Sequence, residues 1–185
     1  MIIRMGTEVY AAHTLAGNLT IFVSVIGTGF ATATTTLVGK SIGSGEMDDV
    51  KKYSLSSIKL MSLSMTVTLL IVFLFSKQIS PIFTTNTVVI SLITVVLGID
   101  TITQPATAIV ASLTATLQAG GDTKFPMYMT AIGIWAIRIV GVYVLGVYFG
   151  LGLIGVWISI ALDNYLRAIL LYLRYRSFKW VKNLI

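Results

Sequence analysis

Asp100, Arg138 and Asp163 stand inside long apolar stretches of this chain. A charge held in hydrocarbon is costly, so it implies a partner or a function. Arg138 lies about 12 residues before Gly150 and Asp163 about 12 after it. At about 1.5 Å per helical residue, both fall roughly 18 Å from that turn, so two helices flanking it bring them to equal depth. An ion pair is expected, either as a clamp that neutralises both charges or as part of proton or substrate coupling. Asp100, about 12 residues into its own segment, is expected at a similar depth and in reach of the same arginine. Four residues on, Gln104 precedes Pro105, which lacks an N–H and frees the carbonyl of Thr101; this bend is expected to face a cavity. The chemistry of bond breaking is not indicated. Cysteine is absent and His13, the one histidine, is expected to hydrogen-bond at a helix end, so neither a thiolate nor a histidine metal site can be assembled. No serine sits in a nucleophile elbow, and the catalytic class is set aside.

The elements that must position these groups are five apolar segments, 15–38, 53–76, 88–117, 127–149 and 153–173. Each is near or beyond the ~20 residues that cross ~30 Å of hydrocarbon. Of the 185 residues, 56% are hydrophobic and 11% charged, far from the balance of a soluble domain. The chain divides into a stub, 1–14, a five-span helical lobe, 15–173, and a basic tail, 174–185. The net charge of +6 does not indicate nucleic acid, because the basic residues cluster at membrane flanks. Lys40, Lys51, Lys52, Lys124, Arg174, Arg176, Lys179 and Lys182 fall on one side, and only Arg4 and Lys77 on the other. The positive-inside bias therefore predicts a cytoplasmic C-terminus.

The connections are explicit. Gly39, Gly43 and Gly45 are expected to end the first helix and turn the chain, with Asp48 and Asp49 at the start of the next helix against its dipole. Gly120 and Gly121 with Asp122 and Pro126 read as stop, turn and start. The first loop lacks the strand and the GxxxxGK[ST] spacing of a phosphate loop. The hydroxyl-rich run 26–36 suits close helix packing or a polar cavity, and Thr34 is taken as a cavity-lining position together with Trp135 and Tyr128.

Several runs occur in a fixed order: AAH from Ala11, LVGKSIGSGEMDDVKKY, the Gln104–Pro105 pair, AGGDTKFP, WAIRIVGVYVLG, and GVWISIALDNYLRAILL before RYRSFKW. This set resembles the C-terminal half of a multidrug and toxic compound extrusion (MATE) transporter and covers nearly the whole chain. The resemblance implies an all-α lobe, spans eight to twelve of twelve, from a protein that exports cationic or amphipathic organic solutes in exchange for Na+ or H+. It implies no cofactor beyond the coupling cation. The partners implied are the bilayer and an N-terminal lobe, without which the fragment is expected to be inactive. The acidic position that some branches carry on the tenth span falls near Thr107, also taken as cavity-lining. Two other readings are a lipid-linked saccharide flippase of the same superfamily, for which Arg138 offers the one basic group inside the spans, and a non-transporting scaffold.

Overall fold

The computed structural model describes residues 6–178, 180 and 181, and among them it is helical with no strand. Five helices are long and apolar enough to cross a membrane: α1 Thr7–Gly43, α2 Met47–Leu74, α4 Thr87–Ala119, α5 Lys124–Tyr148 and α6 Gly152–Arg176. A single turn, α3 Ser76–Ile79, runs into a 3-10 turn at Ser80–Ile82 between α2 and α4. The spans match the sequence reading in number and order but run longer. α1 starts at Thr7, so residues 7–14 are its first two turns and no separate stub, and α6 continues past 173 to Arg176. Polar turns at both ends of a span lie where water and headgroups solvate them, so hydropathy does not mark the helix end.

Turn chemistry differs from expectation in detail. Gly39 and Gly43 stay inside α1; the reversal falls at Gly45, whose φ of +78° favours glycine. At the next turn on this side the left-handed residue is Gly121 and not Gly120. Gly120 is needed for another reason: any Cβ there would strike the ring of Trp180. That ring is fully buried, stacks on Tyr175 at 5.8 Å and donates Nε1–H to the Tyr175 carbonyl at 2.9 Å. The described residues after α6 therefore fold back under the bundle. Arg174, instead of standing free in a basic tail, donates to Asp122 through Nε at 2.8 Å and Nη2 at 2.6 Å. At the opposite end Asn86 caps α4 by accepting from the Val88 N–H at 2.9 Å, and donates to Glu8 of α1 at 2.7 Å.

Lys40, Lys51, Lys52, Lys124, Arg174 and Arg176 all lie at one end, called here the basic end, and Lys77 at the other; Arg4, Lys179 and Lys182 lie outside the described residues. α4 is central, contacting α1, α2 and α6, while α5 leans mainly on α6. Lipid supplies no hydrophobic drive between helices, so close approach must come from small residues. Gly155 lies so near α5 that a Cβ would meet the Leu145 carbonyl at 2.6 Å, and Gly141 faces Ser159 in the same way at 2.9 Å. Along this seam α5 widens into π-helical stretches at Gly133–Ile139 and Val142–Tyr148.

Candidate functional site

The expected ion pair is present. Arg138 Nη2 lies 2.9 Å from Asp163 Oδ2, joining α5 to α6 midway along both. A third residue completes it: Arg167 Nη2 also reaches Asp163 Oδ2 at 2.9 Å and the Asn164 oxygen at 3.0 Å. Arg138 is therefore not the one basic group inside the spans. Arg167 is legible in the sequence as the i+4 neighbour of Asp163 on a helix, a signal that the reading of Arg138 alone leaves unused. The Asp163 side chain is 0% exposed and its other oxygen lies against Gly133, where any Cβ would collide with it. Two guanidinium groups on one carboxylate leave a net positive charge here. A carboxylate that already carries two cations is a poor place to load another.

Asp100 does not share the arginine. It accepts from Thr20 Oγ1 of α1 at 2.7 Å and from Gln104 Nε2 at 3.2 Å. Equal depth is not enough, because α5 leans on α6 while Asp100 points from α4 toward α1. Asp100 is buried with no cationic side chain bonded to it among the described residues, and the buried Gln104 Oε1 has no protein donor. Gln104 thus faces the α1/α4 interior and not an open cavity. Pro105 sits within a helix that runs on to Ala119, and near it the Ile102 carbonyl accepts the Tyr165 hydroxyl of α6 at 2.7 Å. His13 forms no helix-end hydrogen bond among the described residues; its ring packs edge-on to Trp157 at 5.8 Å.

A cleft of about 430 Å³ opens between α1, α4 and α5 toward the basic end, lined by Thr28, Thr32, Thr35, Thr114, Gln118 and Thr130. Thr28, Thr32 and Thr35 each donate their hydroxyl to a carbonyl one turn back in α1, at 2.9–3.0 Å. Their hydrogens are committed, so what they present to the cleft is oxygen lone pairs. Thr34 is corrected: it is 2% exposed, bonded to Ser57 of α2 and the Phe30 carbonyl, and belongs to helix packing. The helical period explains the swap, since 34 points to α2 while 28, 32 and 35 share the other face. Thr107 is half-buried and bonds the Thr103 carbonyl at 3.3 Å, outside the cleft lining. Tyr128 and Trp135 are exposed on α5 and are not among its walls either; Met127 and Pro126 extend it at the basic end.

With this geometry in view, residues 1–144 match the family model MatE. The chain belongs to the MatE family. Among its MatE relatives, the probable multidrug resistance protein NorM of Thermotoga maritima is 34% identical over 181 residues, covering 96% of this chain and 38% of the relative. The uncharacterized transporter YisQ of Bacillus subtilis is 30% identical over 178 residues, 96% of this chain and 39% of the relative. The fold matches the MATE transporter ClbM solved in complex with Rb+, at TM-score 0.89 and 21% identity, over 100% of this chain and 44% of that one. A MATE protein solved in the straight conformation matches at TM-score 0.86 and 25% identity, over 95% of this chain and 39% of that one. The chain thus spans about two fifths of the length of the MatE relatives it matches, as one five-span portion of a multi-pass membrane transporter fold.

Proposed function

We propose that the chain forms the C-terminal lobe of a cation-coupled multidrug efflux antiporter in the plasma membrane, with its basic end in the cytoplasm. The observation that carries the coupling is Asp100, a buried carboxylate with no cationic partner among the described residues, facing Thr20 and Gln104. A carboxylate in that setting is stabilised by taking up a proton or a small cation, which supplies the positive charge the protein omits. Asp163 cannot play this part while Arg138 and Arg167 occupy it. The lone pairs of Thr28, Thr32 and Thr35 suit organic solutes that bring a positive charge or N–H donors and an apolar body. The multidrug resistance name of the Thermotoga NorM relative supports the efflux of drugs. Alternating access needs one bundle to move against another, so this lobe acts with an N-terminal lobe and is expected to transport nothing by itself.

The test is binding of tetraphenylphosphonium to the purified full chain at varied Na+ and pH, with Asp100→Asn alongside. The expected result is binding that Na+ or protons weaken in the parent and leave unchanged in Asp100→Asn. Binding that responds identically in both proteins would overturn the assignment to Asp100, and no binding in either would overturn the role of the cleft.

A further inference from the structure

Opposite the hydroxyl-lined cleft, α2, α4 and α6 enclose a second groove of about 390 Å³ whose character is reversed. Its walls are Leu55, Ile58, Ile109, Ile169 and Leu173 over a floor of Ala106 and Ala168. The Tyr165 hydroxyl at its edge is already spent on the Ile102 carbonyl. Nothing in this lining asks for water or for a polar solute. It is a slot between membrane-crossing helices that only hydrocarbon fills favourably.

The groove has a charged mouth. α2 is 28 residues long, about 42 Å, against ~30 Å of hydrocarbon, so its first turns stand among headgroups. On that helix Lys52 precedes Leu55 by three residues and Lys59 follows it by four, which places both beside the groove wall at successive levels. On α6, Arg176 follows Leu173 by three. Lys51 Nζ lies 5.3 Å from the centre of the Phe178 ring, which shows that the start of α2 and the end of α6 meet at this mouth. Lys52, Lys59 and Arg176 are exposed and form no ion pair among the described residues. Lys59 is the most telling. It stands 12 residues into a membrane-crossing helix with no acid paired to its charge among the described residues, and its ammonium must snorkel toward an anion at the interface.

We propose that this groove binds an anionic phospholipid of the leaflet at the basic end, one acyl chain lying along Leu55, Ile58, Ile169 and Leu173 and the phosphate held between Lys52, Lys59 and Arg176. Basic pockets between spans on that side of a membrane select anionic headgroups in this way, and the acyl chain adds the apolar contact. The site is separate from the cleft and from Asp100, so it stands whether or not the transport reading does.

The experiment is native mass spectrometry of the full chain extracted from vesicles of equimolar phosphatidylglycerol and phosphatidylcholine. The parent is expected to retain phosphatidylglycerol preferentially. Lys52→Gln/Lys59→Gln, two exposed positions whose change leaves packing untouched, is expected to lower that preference on the order of tenfold. Leu55→Trp/Ile169→Trp fills the groove from its exposed rim and is expected to reduce retention of both lipids, with helicity by circular dichroism as the folding control. Equal retention of the two lipids by the parent, or an unchanged preference in the lysine variant, would overturn the proposal. A dimer peak that the tryptophan variant abolishes would overturn it too, by showing a second copy of the chain in the groove.

Discussion

Replacing Asp163 by Leu should damage the fold more than replacing either arginine that touches it. Asp163 is 0% exposed and accepts from Arg138 and Arg167 at 2.9 Å each, so its loss strands two guanidinium groups between α5 and α6. Breaking one buried pair by removing a partner costs about 3–5 kcal/mol, and two stranded cations place Asp163→Leu at or above the top of that range. Arg138→Leu leaves the carboxylate paired with Arg167, and the Arg138 side chain is 34% exposed. Only a hydrogen bond to a charged group is lost, about 1.5–3 kcal/mol. The double variant leaves a single stranded cation, Arg167, which keeps its bond to Asn164 at 3.0 Å. It should therefore cost less than the sum of the two singles by about 0.5–3 kcal/mol. Adding Arg167→Leu removes the last charge and should recover stability further. The measurement is unfolding of each purified variant by graded SDS in mild detergent, followed by far-UV circular dichroism. Strictly additive losses, or an Arg138→Leu variant less stable than Asp163→Leu, would refute the shared-carboxylate reading.

Gly133→Ala drives a Cβ into Asp163 and to 2.9 Å from Arg167 Cδ. It should destabilise by about 1–3 kcal/mol in the same assay, with Gly141→Ala, which meets the Ser159 hydroxyl, milder. Tyr165→Phe removes the donor to the Ile102 carbonyl and should cost about 0.5–1.5 kcal/mol by the same titration. Gly120→Ala should unseat Trp180 from its stack on Tyr175, read as a red shift and greater quenching of tryptophan emission against a Trp135→Phe/Trp157→Phe background. A cysteine placed at Ser177 should resist an impermeant maleimide in intact cells and react after permeabilisation, as the positive-inside bias requires.

Two physical quantities read directly from the chain decide most of the architecture. Segment hydropathy marks five spans because ~20 apolar residues have no soluble alternative, and helical rise puts Arg138 and Asp163 at one depth because they are equidistant from Gly150. Neither quantity carries azimuth. Whether Asp100 turns to Arg138 or to Thr20 depends on which neighbour α4 presents that face to, and only the packing of α5 on α6 excludes the arginine. The same limit misplaces Thr34, one residue from Thr35: a step of about 100° around the helix carries a hydroxyl from the cleft into the seam with α2. Arg167 and Trp180 show the other gap. An i+4 arginine is readable beside Asp163, but its burial is not, and a tryptophan in a basic tail gives no sign that it folds back over Gly120. Depth and span are one-dimensional properties that a sequence encodes along its length, whereas partner choice depends on how helices rotate against one another, and that is settled only when their small residues close on each other.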